Sequence, residues 1–278
     1  MSLMSDSVIF IVDSSQAITG AGTGSWTSQI NIPKGLDYDR VCVLQAIIPK
    51  SYYLVNAPYN TFILSENGTR TTITMTPGNY NVKSFATLIS ALLTASSSQG
   101  WVYTITYPNS ITQVDTGKFL YTVSGNASQP SIIFPSTSLV YEQFGFSVGS
   151  TNVFVASAIT SSNVVKFQVE DIIFVHSSIS SNNDQTSKND VLQEIYASST
   201  PNYSNVIYQN SGAIEAYSKK LTSQNNNVYS FTLTDEKDNP IINLNGLNCV
   251  MTLVVYKKDA INQLLARNIL TNRGNMLA

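Results

Sequence analysis

The sequence predicts an all-β protein, a sandwich or a barrel, and three observations predict it. Short runs with a period of two recur from "VIFIV" near the N-terminus to "CVMTLVVY" near the C-terminus. Gly, Pro, Asn and Asp clusters punctuate them. Only two stretches carry helical spacing, so strands and helices do not alternate as βαβ units would require.

The elements follow in order. "VIFIV" (Val8 to Val12) is a short apolar strand, and the Gly-rich "GAGTGSW" after it reads as a flexible arm leading into "SWTSQINIP". "RVCVLQAIIP" (Arg40 to Pro49) is β-branched and is expected to be buried on both faces. "KSYYLVNAPYN" is the densest aromatic cluster and reads as core and loop packing. In "WVYTITY", Trp101, Tyr103, Ile105 and Tyr107 alternate with Val102, Thr104 and Thr106, so the aromatic side should pack. "KFLYTV", "PSIIFP", "TNVFVA", "VVKFQV", "DIIFVHSS", "VYSFTLT" and "CVMTLVVY" continue the pattern.

The stretch "MTPGNYNVKSFATLISALLTASS" is the exception. Phe85, Leu88, Ile89, Leu92 and Leu93 form one helical stripe, Asn81 is placed to cap it, and a helix over Val82 to Ala95 would be ~21 Å long. Leu88 and Leu92 are expected to face the core. A second apolar spacing lies in "AINQLLARNIL", where Ile261, Leu264, Leu265 and Ile269 approach one face. The sequence therefore divides into an arm (1–24), a β-domain (25–259) and a helical tail (260–278).

Composition narrows the function. Charged residues make up 12% of the chain, about half the ordinary ~25%, with Ser, Thr and Asn in their place. Net charge is −2, and the Lys and Arg residues are scattered, so no basic surface for nucleic acid is expected. Cys42 and Cys249 are too few and too distant for a secreted disulfide scaffold, and both are expected to be buried and reduced. No signal-peptide pattern and no run of ~18 apolar residues occurs, so an intracellular chain without a membrane span is expected.

Catalytic chemistry finds little support. His176 ends the strand face of Ile172 and Phe174, with no nucleophile motif beside it. One His and two distant Cys do not make a zinc site. Glu170 and Asp171 are adjacent and would point to opposite strand faces. "TDEKDNP" holds three acids but lacks calcium-loop spacing and reads as a hairpin tip. "GAGTGSW" lacks the lysine of a phosphate loop and the third glycine of a dinucleotide fingerprint. No cofactor, metal or enzymatic activity is expected.

Three blocks, in order, carry a resemblance. The first is "VLQAIIPKSYYLVNAPYNTFILSENGTRTTITMTPGNYNVKSFATLISALL", from Val43 to Leu93. The second is "YEQFGFSVGS", and the third is "YSFTLTDEKDNPIINLNGLNCVMTLVVYKK". Together they resemble the minor capsid, or penton, proteins of virophages and Polinton-type elements. That resemblance implies a single jelly-roll β-sandwich with one crossover helix over Met75 to Ser97. It implies homopentamers at the vertices of an icosahedral virion, in contact with the major capsid protein and made inside the infected host cell. Family members can carry a second β-subdomain, for which the sequence marks no position here. In such a fold the strands holding Cys42 and Cys249 would be neighbours. Leu264, Leu265 and Ile269 would then be an assembly contact, on the chain's own sandwich, a neighbour or the shell. The alternative is a ligand-binding jelly roll, such as a lectin or receptor-binding module, using the Tyr-rich loops or Asp235 and Asp238.

Overall fold

A computed structural model describes residues 7–107, 115–167, 172–181, 190–212, 214–222, 226–241 and 243–258. The chain forms two compact units. One comprises Met1–Tyr52 and Glu170–Ala278, and the other, Tyr53–Val169, is inserted into it.

The first unit opens with β1 (Ser7–Asp13), β2 (Ser25–Gln29) and β3 (Arg40–Pro49). The inserted unit supplies β4 (Thr61–Glu66), β5 (Thr69–Thr74), α1 (Val82–Ala95), β6 (Val102–Thr106), β7 (Leu120–Ser124), β8 (Ser131–Ile133), α2 (Tyr141–Phe144), β9 (Thr151–Val153) and β10 (Ala158–Thr160). The first unit resumes with β11 (Ile172–Ser177), β12 (Ser180–Ser181), β13 (Val191–Tyr196) and β14 (Asn205–Gln209). It closes with α3 (Ile214–Tyr217), β15 (Lys219–Leu221), β16 (Val228–Thr234) and β17 (Val250–Tyr256).

Strand pairing in the first unit defines a jelly roll. Its longer strands, in chain order, are β1, β2, β3, β11, β13, β14, β16 and β17. One sheet runs β1-β17-β3, with β14 and then β15-β12 also continuing from β3; the other runs β13-β11-β16-β2. All of these pairings are antiparallel. Numbered one to eight, the strands take the orders 1-8-3-6 and 5-4-7-2, so the chain wraps between two sheets as interlocked Greek keys. Alternation puts Val41, Val43, Leu253 and Val255 inside one sheet and Trp26, Phe231, Ile173 and Val175 inside the other. The all-β class holds, and the jelly roll lies in the first unit.

Three expectations change here. The arm expected over residues 1–24 is part of the sandwich from Ser7 onward, because β1 pairs residue by residue with β17. The glycine-rich turn is packed rather than flexible: Leu233 N donates to Gly24 O at 2.7 Å. A Cβ on Gly24 would stand 1.5 Å from Ile241 O, so only glycine lets these backbones meet. The β-domain expected as 25–259 divides at Tyr52/Tyr53 and Val169/Glu170, which places the inserted β-unit. The tail expected over 260–278 lies outside the described residues.

The inserted unit has two sheets, β5-β4-β8-β9 and β10-β7-β6, and α1 carries the chain from one to the other. The helix forms with the bounds expected, Val82–Ala95, but it crosses between the sheets of the inserted unit and not between those of the jelly roll. Asn81 caps it, accepting from Ser84 N at 2.9 Å, while Asn81 N donates to Ser84 Oγ at 3.1 Å. The buried centre of its stripe is Phe85, Ile89 and Leu93; Leu88 and Leu92, expected in the core, are only partly buried on its flank. Phe62, Phe119, Tyr121, Phe134 and Phe144 fill the rest of this core. Gly145 (φ +74°) ends α2, and its left-handed turn lets Phe144 and Phe146 both enter the core.

The helix also closes a sheet edge. Ile105 N donates to Ser90 Oγ at 2.9 Å, and Tyr103 N donates to Thr94 Oγ1 at 3.0 Å. Helix positions i and i+4 thus match strand positions two apart, satisfying edge groups of β6 that would otherwise need water. Replacing Thr94 with valine keeps the shape and removes the acceptor. It should cost about 1–3 kcal/mol by urea denaturation. A loss below about 0.5 kcal/mol would show that water already serves these amides.

Candidate assembly surfaces

His176 has the surroundings closest to a catalytic arrangement. Its Nδ1 lies 2.7 Å from Asp190 Oδ1 and its Nε2 lies 2.9 Å from Thr234 Oγ1, with Asp238 Oδ1 at 3.8 Å. The order acid, imidazole and hydroxyl matches that of a hydrolase triad, but Thr234 is 6% exposed. A nucleophile must be reachable from a cleft, and Thr234 is a buried residue of β16. The arrangement joins β11, β16 and the residue before β13. His176→Ala should therefore leave assembly unchanged while weakening that junction.

Asp235 is committed to a turn. Its Oδ1 accepts from Lys237 N and Asn239 N, each at 2.8 Å, and its Oδ2 accepts from Asn239 Nδ2 at 2.8 Å. "TDEKDNP" is thus a hairpin tip. Among the described residues no group of three His, Cys, Asp or Glu side chains could hold a metal ion. Nor, among them, is any helix long and apolar enough to cross a membrane.

The two cysteines sit where the jelly roll requires. Cys42 in β3 pairs with Val254 of β17, and Cys249 immediately precedes β17. Both are buried and free. Burial, with a smaller contribution from the Asp13 charge, pushes the Cys249 thiol up to about 12; burial also raises Cys42, partly offset by Asn210 and Lys219. Thiolate is the reactive form, so burial suppresses the reactivity of both thiols at pH 8. Native labelling at pH 8 should be slow at both positions and rapid after denaturation. Rapid labelling of the native protein would contradict this placement.

What the fold offers outwardly is sheet surface nearly without charge. On β2 and β16 the outward positions are Ser25, Thr27, Ser230 and Thr232, with Ser25 Oγ and Thr232 Oγ1 3.1 Å apart. On β6, β7 and β10 they are Val102, Thr104, Thr106, Leu120, Thr122, Ser124, Ala158 and Thr160. The outer face of the β1-β17-β3-β14 sheet differs by being apolar: Ile9 is 63% exposed, Ile11 75%, Ile47 42% and Ile207 73%. Leu264, Leu265 and Ile269 lie outside the described residues. Sequence reading marked the Ser and Thr enrichment and the outward side of β6, but not which strands join to form these faces, because that depends on long-range pairing.

No protein-family model matches the sequence, and no curated protein matches it. Among solved structures, the chain is similar to the mavirus penton protein, with a TM-score of 0.42 and 11% identity, over 90% of this chain and 99% of that one. It is also similar to a chain in the cryo-EM structure of the Sputnik virophage, with a TM-score of 0.39 and 11% identity, over 92% of this chain and 99% of that one.

Proposed function

We propose that this chain is a structural minor capsid protein that forms pentameric vertices of an icosahedral, virophage-like particle. The observation that carries the proposal is a jelly roll with a second β-unit inserted between β3 and β11, both presenting charge-poor, hydroxyl-lined sheet faces. A five-fold ring needs a heterologous interface, in which one flank of a subunit meets a different flank of the next. Hydroxyl-rich faces can be buried against protein at far smaller desolvation cost than charged ones. The major capsid protein is the second partner, and the virion is the site of action. No catalytic step is assigned, because the one imidazole is bonded to a covered hydroxyl.

The lectin-like alternative loses its best acid, since Asp235 already accepts three hydrogen bonds from its own turn. Coexpression with the major capsid protein, followed by imaging of the particles, tests the proposal. The expected result is this chain at five-fold vertices, five copies at each. A protein that stays monomeric alone and is missing from the particles would overturn it.

A further inference from the structure

We propose that the C-terminal segment, residues 259–278, folds back within the same chain and seats Ile261, Leu264, Leu265 and Ile269 on the apolar outer face of the β1-β17-β3-β14 sheet. This does not rest on the capsid reading and concerns the isolated protein.

The face is continuous by register. Asp13, Val250, Ile47 and Ile207 lie side by side across β1, β17, β3 and β14. One step along the strands, Ile11, Thr252, Gln45 and Gln209 form the next row, and beyond it Ile9 stands beside Val254. Asp13 is the only charge in these rows. Four isoleucines more than 40% exposed on one sheet face make an apolar patch of the kind that marks a contact surface.

The same face already receives a helical turn. Ile214 of α3 and Leu44 pack against the cluster of Cys42, Val254 and Tyr256, directly next to the open part. The open part thus continues an existing helix-on-sheet contact.

Chain length and direction select the occupant. β17 is the strand before the segment, and Lys258 N donates to Asp39 Oδ1 at 2.8 Å, fixing the exit at the α3 end of the face. Five Cα-to-Cα steps separate Tyr256 from Ile261, a reach of at most ~17 Å, enough for the chain to turn back. From Ile261 to Ile269 at helical rise is ~12 Å. From the Ile9 row to the Val250 row is four strand residues, or ~13 Å. An apolar stripe of this length running back along β17 would lie between Ile9 and Ile11 on one side and Ile207 on the other. Asn262, Gln263 and Arg267 would remain outward.

The test uses the full chain carrying a photo-crosslinking residue at position 265, prepared as an equal mixture of light and heavy isotope-labelled protein. Crosslinks should map to peptides containing Ile9–Ile11, Ile47 or Ile207 and join only light to light and heavy to heavy. The same residue at position 263 should give no crosslink to the sheet. Light-to-heavy crosslinks (a second copy as occupant), crosslinks to another surface, or none at all would overturn the proposal. Deletion of 259–278 should raise the fluorescence of an apolar-surface dye several-fold with Trp26 emission unchanged. Ile9→Thr, Ile11→Thr and Ile207→Thr together should abolish that rise in the shortened chain. Dye binding that does not rise, or that survives the three substitutions, overturns the proposal equally.

Discussion

Replacing Phe85 by alanine should destabilise the inserted unit by about 3–5 kcal/mol, the usual range for a fully buried phenylalanine. Phe85 is fully buried at the centre of the α1 stripe. Its ring stacks on Phe119 with centroids 5.8 Å apart and meets Phe144 and Phe167 edge-on at 5.1 and 5.0 Å. Alanine would forfeit those contacts and leave a cavity that rigid neighbouring rings cannot readily fill. Each unit holds one tryptophan, Trp26 in the jelly roll and Trp101 in the insertion, both buried. In a Trp26→Phe background, Trp101 emission during urea unfolding therefore reports the inserted unit. Lys83→Ala, on the exposed side of α1, should change stability by less than about 0.5 kcal/mol. Similar small losses for Phe85→Ala and Lys83→Ala would mean that α1 is not held by this core.

The bounds of α1 were legible because its cap and stripe are local signals: Asn81 and an apolar residue every three or four positions. Which part of the stripe is innermost was not legible. Five apolar residues span a wide arc, and the placement of two sheets decides that Phe85, Ile89 and Leu93 are covered while Leu88 and Leu92 sit at the margin. Strand alternation was equally readable. Trp101, Tyr103 and Ile105 are buried, and Val102, Thr104 and Thr106 are exposed. The insertion boundary left no trace, because the residues around Tyr52 and Val169 have the same β-rich composition as either unit. His176 shows the same limit, since its two bonding partners are 14 and 58 residues away in sequence. The pairing of β3 with β17 was expected only through the family resemblance. Antiparallel pairing between residues some 210 positions apart has no local sequence signature.

Glu66 is the residue that sequence reading passed over, and its loss should be the second large effect. In "ILSENGTR" it reads as a polar strand end before a turn, yet it is 1% exposed. Its Oε1 accepts from Ser97 Oγ at 2.8 Å and Tyr103 OH at 2.7 Å. Its Oε2 accepts from Ser98 N at 2.7 Å, Ser98 Oγ at 3.0 Å and Gln99 N at 3.3 Å. One carboxylate therefore holds the whole connection from α1 to β6. Hydrogen bonds to a charged group contribute ~1.5–3 kcal/mol each, and the partly buried serine hydroxyls can turn toward water. The buried Tyr103 hydroxyl has less access to water, so Glu66→Ala should cost about 2–4 kcal/mol. Glu66→Gln should cost less. An amide oxygen at the Oε2 position still accepts from the two backbone N–H groups, and its NH2 can donate to the hydroxyl oxygens of Ser97 and Tyr103. The pH dependence carries a distinct signature. Burial first, and then the Glu66 hydrogen bond and charge, raise the Tyr103 phenol well above its ordinary range. The unfolded chain releases that proton from about pH 10 while the folded chain retains it. Stability from this group is thus fully present below pH 10 and is lost as pH rises above it. Glu66→Gln removes the carboxylate charge and should make the alkaline loss shallower, measured by urea denaturation between pH 8 and 11. If glutamine proves as damaging as alanine, with an unchanged alkaline slope, then the carboxylate does not hold this connection in the way its five contacts imply.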